Sequence, residues 1–235
     1  MQSNKRLART AGLYYLVVAV LGAFAHIVRA TVYAAGDAVT TSARVVENAD
    51  LVRYSFVADL VQATFLVLVV LTLHRLLHHV GKDVARAMVV FVVIAVAIIC
   101  LNMVHQLGAL LVATDPSYAA AFGVDGGDAL VMLLMDLQHH GYLVAQIFFG
   151  LWLFPLGLLA WRSGMFPRPI AALLMVASTA YLVDVALQFL APGLAATVNP
   201  GLVILFVLAE CSMLVFLLAK GVKTVGPATH ELVSA

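Results

Sequence analysis

Charged residues are scarce in this sequence. Only 11% of its 235 residues are Lys, Arg, Asp or Glu, whereas a soluble domain carries about 25%. Hydrophobic residues make up 64% of the chain, and the mean hydropathy is +1.06. This composition is typical of an integral membrane protein. The net charge of +1 provides no basic surface for nucleic acid, so we expect no nucleic-acid partner.

Cysteine is also nearly absent. Cys100 and Cys211 are the only two, and both lie inside apolar segments. We therefore expect no disulfide framework, and we expect two buried residues that act as small hydrophobic side chains. We also find no internal repeat and no low-complexity segment, so we interpret residues 1–235 as a single transmembrane domain.

Six stretches are long and apolar enough to cross a bilayer, which requires about 20 residues. None of them alternates apolar and polar residues as a barrel strand does. We therefore predict an all-α, polytopic membrane protein with a six-transmembrane-helix bundle. The six stretches are approximately residues 11–33, 52–73, 84–112, 129–161, 170–190 and 202–219.

The basic residues predict the orientation. Ten of the thirteen Lys and Arg lie before the first span, in the loops after the second and fourth spans, or after the sixth. The other three are Arg29, Arg44 and Arg53. Because cytoplasmic loops are enriched in Lys and Arg, we expect cytoplasmic N and C termini, with residues 225–235 as a short cytoplasmic tail.

Two loops on the opposite side differ in character. Residues 36–51 carry apolar residues at helical spacing, and they form either an amphipathic helix on the outer surface or a simple spacer. Residues 114–128 contain Pro116, Gly123 and the pair Gly126–Gly127. We expect this second loop to be irregular.

Ionisable residues recur at a similar depth in five of the six apolar segments, towards the outer side. They are His26 and Arg29, Asp59, His105, Asp136 with His139 and His140, and Asp184. At 1.5 Å per residue, most of them lie about 24–28 Å from the flanking basic residues. Glu210 lies deeper, about 15 Å from Lys220. Charges in a bilayer are expensive and usually mark a functional site, so we expect a polar cavity that opens outward.

We call the ionisable residues at this depth the polar belt. Their chemistry favours a metal site. Histidine with carboxylate is a ligand set for zinc or another divalent transition metal, and the spacing of Asp136 and His139 is similar to Glu-x-x-His pairs in metal-binding bundles. The site would serve a metal-binding protein or a metal-assisted enzyme, acting on a lipid-like or extracytoplasmic substrate among membrane lipids. The candidate ligands are His26, His105, Asp136, His139 and His140. Asp59 or Asp184 would be the general base, and Arg29 would bind a developing anion.

Three alternatives stay open. Arg29 could pair with Asp59 or Asp184 in a structural polar network of a non-enzymatic binder. Glu210 could serve a sensor or a proton-linked transporter, although the cytoplasmic halves of the spans lack the relay groups that transport requires. Two histidines on facing helices could instead ligate haem. The sequence does not set the oligomeric state.

Short motifs along most of the chain resemble a known family. They are Leu51-Val52-Arg53, Ala58-Asp59-Leu60, Gly141-Tyr142, Phe148-Phe149-Gly150, Arg162-Ser163-Gly164, Phe166-Pro167-Arg168 and Tyr181-Leu182-Val183-Asp184. Together they resemble a family of bacterial six-span membrane proteins known as domain of unknown function forty-three eighty-six. The resemblance implies six spans in a bacterial plasma (inner) membrane. It draws attention to Arg53, Asp59, Tyr181 and Asp184, but it implies no reaction.

Overall fold

The computed structural model describes residues 2–222, with the side chains of residues 4–222. This part of the chain forms seven helices and no strand. They are α1 (Gln2–Val32), α2 (Ala38–Glu47), α3 (Ala49–Leu77), α4 (Lys82–Thr114), α5 (Pro116–Ser163), α6 (Arg168–Leu190) and α7 (Pro192–Ala219). The expected tail at residues 225–235 lies outside the described residues.

Six of the seven helices are long and apolar enough to cross a membrane; α2 is the exception. The prediction of an all-α protein with six membrane-spanning helices is confirmed. Most of the helices extend beyond the apolar stretches of the sequence, because polar residues continue the helix at its ends. Large apolar side chains such as Leu101, Ile204 and Val215 are exposed on the outer surface of the bundle. Such a surface is suited to lipid and unsuited to water.

The six long helices form a closed ring of neighbours. Helix α1 packs against α3, α3 against α4, α4 against α5, α5 against α6, α6 against α7, and α7 returns to α1. The main apolar core fills the end of the ring that holds the N-terminus, and it includes Leu73, Met88, Trp152, Leu156 and Leu217. A smaller cluster, with Val28, Val45 and Met135, lies at the opposite end. The polar side chains of the belt lie between and beside these two clusters.

Helix α2 lies across that opposite end, which we call the α2 end. It contacts α1, α3, α4 and α5, and it buries Thr41, Ser42 and Val45. Its N-cap is Asp37, whose carboxylate accepts hydrogen bonds from the Thr40 hydroxyl at 2.6 Å and the Thr40 N–H at 2.9 Å. These bonds hold the pKa of the Asp37 carboxyl below its usual range. A capped helix therefore covers one end of the ring.

The expectation of an irregular loop at residues 114–128 is wrong. Helix α5 starts at Pro116, and the Asp115 side chain caps it by accepting a hydrogen bond from Ser117 N–H at 2.9 Å. Proline at the first helical position and aspartate at the N-cap both favour a helix start. Within α5 only Gly123, with φ 72° and ψ 167°, leaves helical geometry. This glycine thus divides α5 into two helical segments, residues 116–122 and 124–163, that meet at a kink.

The expectation that both cysteines are buried is also wrong. Cys100 and Cys211 are exposed on the helix surfaces, and both are free thiols. The physical reason is that lipid tails are about as apolar as the protein interior. A small hydrophobic side chain in a span therefore gains little from turning inward.

Candidate functional site

The closest charged pair inside the bundle joins α1 to α3. Arg29 Nη1 donates a hydrogen bond to Asp59 Oδ2. The side chain of Arg29 is 11% exposed and that of Asp59 is 2% exposed. The guanidinium carbon also lies 5.6 Å from the ring centroid of Tyr142 on α5, within the range of a cation–π interaction. Three helices therefore meet at one partly buried cation.

A second polar group joins α1 to α5 near the α2 end. The Tyr33 hydroxyl donates a hydrogen bond to Asp136 Oδ1 at 2.6 Å. The Tyr33 ring also stacks on the His139 ring, with 5.6 Å between centroids. His140 Nδ1 lies 2.8 Å from the backbone oxygen of Asp136, within its own helix. Asp136 and His139 thus share a face, as their spacing predicts, and Tyr33 occupies the space beside them.

The other predicted metal ligands are dispersed. His26, His139 and His140 are exposed, and His105 Nδ1 lies 3.0 Å from Asn102 Oδ1 on the same helix. Within residues 4–222, no three His, Cys, Asp or Glu side chains form a group that could hold a metal ion. Of the predicted ligands, Asp136 is instead hydrogen-bonded to Tyr33, and His105 to Asn102.

Asp184, a candidate general base, connects three helices. Its Oδ2 accepts from Gln146 Nε2 on α5 at 3.0 Å, and its Oδ1 accepts from Asn199 Nδ2 on α7 at 2.9 Å. The side chain is buried. Because both oxygens already accept hydrogen bonds from amides, this carboxylate is suited to holding α5, α6 and α7 together.

Glu210 lies between two tyrosines. Tyr15 on α1 donates to its Oε2 at 2.8 Å, and Tyr181 on α6 donates to its Oε1 at 2.7 Å. The Tyr181 ring is itself stacked on Phe206, with 3.7 Å between centroids. The family resemblance drew attention to Tyr181 together with Asp184, but the Tyr181 hydroxyl bonds to Glu210 on α7 and not to Asp184.

A glycine allows Tyr181 to take this position. A Cβ at Gly150 on α5 would lie 2.8 Å from Tyr181 Cβ and 3.1 Å from the backbone oxygen of Ser178. Both distances are shorter than normal contacts, so α5 and α6 approach this closely only because residue 150 is glycine. The Gly150 contact thus sets where the Tyr181 hydroxyl meets Glu210.

Buried amides form a further polar group between α3, α4 and α5. Asn102 Nδ2 donates to the backbone oxygen of Gln138 at 2.7 Å. Gln106 Nε2 donates to Ser55 Oγ at 2.9 Å and to the backbone oxygen of Val52 at 3.3 Å. Among the described residues, Gln106 Oε1 and Gln138 Nε2 have no hydrogen-bond partner.

Sequence reasoning missed four partners of the belt: Tyr33, Tyr142, Gln146 and Asn199. A signal existed for three of them. Tyr33 lies two helical turns after His26, and Gln146 lies two turns after His139, which places each pair on one face. Tyr142 continues the same stripe on α5. Asn199 had no such signal, because it lies before the apolar stretch of α7.

Comparisons with known proteins give a family and a relative. A sequence model of the family described as "Domain of unknown function (DUF4386)" matches residues 10–221. An "Uncharacterized protein" from Archaeoglobus fulgidus is 30% identical over 138 residues, which cover 58% of this chain and 68% of the relative. That relative is archaeal, so similarity to this chain is not restricted to bacteria. No solved structure matches the chain.

Proposed function

Because the chain belongs to the DUF4386 family, whose description names no activity, we propose a function from the geometry. We propose that this multi-pass membrane protein is a non-enzymatic binder of a lipid-like molecule with an acidic group. The proposed site is the cluster of Arg29, Asp59 and Tyr142, which we call the Arg29 cluster. We also propose that the α2 end faces the outside of a plasma membrane, as the distribution of basic residues predicts.

The observation that carries this proposal is the unused capacity of the Arg29 guanidinium. Arginine has five N–H donors, and among the described side chains one hydrogen bond, to Asp59, uses them. The side chain is 11% exposed, so it is not sealed completely inside the bundle. A carboxylate or phosphate accepts two parallel hydrogen bonds from such a fork.

The surroundings support a ligand with an apolar body. The face of Tyr142 covers one side of the cation, and an aromatic face also packs against the apolar body of a ligand. A buried ion pair contributes little net stability compared with apolar residues of the same shape. The presence of the charged Arg29 side chain inside a span therefore points to a role in binding rather than in stability.

A matched pair of probes tests the proposal. Purified protein in mixed micelles is titrated with a fluorescent long-chain fatty acid and, separately, with its methyl ester, which has the same chain but no charge. We expect the acid to bind about 10-fold more tightly, since hydrogen bonds to charged groups contribute about 1.5–3 kcal/mol. The variant Arg29→Gln should bind the acid and the ester equally.

The control is Arg86→Gln, which removes a cation from an exposed pair with Asp83 at the other end of the bundle. This variant should keep the preference for the acid. Equal binding of acid and ester by the wild-type protein would overturn the proposal. An equal loss of preference in Arg29→Gln and Arg86→Gln would also contradict it, because the effect would then reflect net charge.

Metal binding is a second proposal, and the contact among Asp136, His139 and Tyr33 favours its location. Two ligands, a carboxylate oxygen and an imidazole nitrogen, come from one face of α5. Zinc usually takes three or four protein ligands, so this proposal requires at least one further protein ligand beside these two, with water or a substrate atom completing the shell. Zinc, or another divalent transition metal, would then activate water or polarise a lipid-like substrate. Elemental analysis of the purified protein beside Asp136→Asn tests this second proposal, which predicts stoichiometric metal that the variant loses.

A further inference from the structure

Glu210 has no cationic partner among the described residues. Three ion pairs form in this part of the chain, and none of them includes Glu210. Its two hydrogen bonds come from neutral donors, the hydroxyls of Tyr15 and Tyr181. Because a carboxylate can accept about four hydrogen bonds, it has the capacity for further donors. Glu210 is also partly exposed, so it is not sealed completely inside the bundle.

The depth of Glu210 restricts the molecules that can reach it. It lies about 15 Å from Lys220 along α7, near the middle of a hydrocarbon layer about 30 Å thick. Val207 lies one turn before Glu210 on the same side of the helix, and this apolar side chain is exposed. Since such a surface is suited to lipid, we expect the exposed part of Glu210 to meet molecules dissolved in the bilayer rather than ions in water.

Aromatic rings lie beside both hydroxyl donors of Glu210. The ring centroids of Tyr15 on α1 and Trp152 on α5 are 6.3 Å apart, and the ring of Tyr181 on α6 stacks on Phe206 of α7. Four rings from four helices are thus grouped near one carboxylate. The faces of such rings attract organic cations, so the negative charge and the aromatic surroundings favour the same kind of ligand.

We propose that Glu210 binds the ammonium group of a lipophilic amine that is dissolved in the bilayer. The ammonium of a primary amine has three N–H donors, and it donates to the lone pairs of Glu210 that the two tyrosines leave free. The apolar body of the amine lies along the exposed side of α7 that carries Val207. A charge-assisted hydrogen bond then compensates a carboxylate that is costly in the bilayer. This inference is independent of the function proposed for the Arg29 cluster.

An amine and its neutral derivative test the proposal. The purified full chain in mixed micelles is titrated with a fluorescent long-chain primary amine and with its N-acetyl derivative, which has the same chain but no charge. We expect the amine to bind about 10-fold more tightly, because the charge-assisted hydrogen bond forms only with the ammonium. Glu210→Gln should bind the two probes equally. Glu47→Gln, which removes an exposed acidic side chain from α2, should keep the preference. Equal binding of both probes by the wild-type protein would overturn the proposal and would indicate that Glu210 holds a proton instead.

The two tryptophans of the chain locate the site while Glu210 is kept. Trp152 contacts Tyr15, whereas Trp161 lies about 14 Å farther along α5, beside Arg168. Bromine atoms next to the amino group of the probe quench tryptophan fluorescence at short range. In Trp161→Phe, which leaves Trp152 as the reporter, the brominated amine should quench more strongly than its N-acetyl derivative. In Trp152→Phe, the two probes should quench alike. Absence of an amine-specific effect on Trp152 would overturn the proposal, even if Glu210→Gln failed to fold.

Discussion

The Tyr33 hydroxyl on α1 and Asp136 on α5 are joined by a hydrogen bond of 2.6 Å. Asp136 is the carboxylate that the sequence marked as a metal ligand, so Tyr33 is a direct competitor of any cation at this position. The same tyrosine stacks on His139. One aromatic side chain therefore contacts both candidate ligands on this face of α5.

The proposed metal site predicts a gain of affinity in Tyr33→Phe. Removal of the hydroxyl frees Asp136 Oδ1, and a hydrogen bond to a charged group contributes about 1.5–3 kcal/mol. Zinc binding measured by calorimetry should therefore become about 10-fold tighter than in the wild type. Asp136→Asn should abolish binding. Weaker zinc binding in Tyr33→Phe would argue against this location.

Tyr15 and its neighbour Tyr14 provide a matched test of the Glu210 site. Tyr15→Phe leaves Glu210 Oε2 without its donor, and an unsatisfied buried group costs about 1–3 kcal/mol. Tyr14 has an edge contact with Phe65 and makes no side-chain hydrogen bond to a described residue. Chemical unfolding in detergent should show a lower free energy of unfolding for Tyr15→Phe than for the wild type. Tyr14→Phe should change this free energy little. Equal losses would mean that Glu210 is not the cause.

The Arg29–Asp59 pair predicts strong coupling in a double-mutant cycle. Asp59→Leu leaves Arg29 as a buried, unpaired cation, and the expected cost is about 3 kcal/mol or more of unfolding free energy. The double variant Arg29→Met with Asp59→Leu should recover most of this loss. The double variant also separates the effect on stability from the effect on binding. It should fold, but it should no longer distinguish the fatty acid from its ester. Additive losses would show that the two side chains do not interact.

The N-cap of α2 predicts a response to acid. The hydroxyl and N–H of Thr40 lower the pKa of Asp37 relative to the unfolded chain. The cap therefore stabilises α2 fully above the unfolded pKa, and this stabilisation is lost as the pH falls through the folded pKa. A spin label at the exposed position Val39 should become more mobile below about pH 4, where free aspartate is protonated.

Asp37→Asn is the control for this response. Asparagine caps a helix without titrating, so the mobility of the label at Val39 should then be the same at neutral and acidic pH. A response to acid that persists in Asp37→Asn would assign the change to another group.

The six spans could be predicted from the sequence because hydropathy is averaged over about 20 residues, so a few polar residues do not hide a span. It failed for residues 116–128, where the glycines suggested a loop but the cap at Asp115 and Pro116 started a helix. It placed Asp136 and His139 on one face, since spacing along a single helix determines this. It could not place His26 or His105 relative to that face, because the rotation of one helix against another depends on packing between helices.

The partner of each charged side chain was equally hard to predict. Arg29 had two candidate partners in the sequence, Asp59 and Asp184, and depth alone did not separate them. Asp59 is the partner because α3 is the neighbour of α1 in the ring, while Asp184 lies on α6 and is held by Gln146 and Asn199. The order of helices around the ring is a long-range property that no local pattern contains.

Helix α2 contacts four of the six long helices and covers one end of the ring. If the Arg29 cluster binds a ligand as proposed, we expect that ligand to enter sideways from the bilayer, between helices, rather than from water along the ring axis. Its rate of association should then follow the mole fraction of ligand in the membrane. Dilution of the aqueous phase at constant lipid composition would leave the occupancy of the site unchanged.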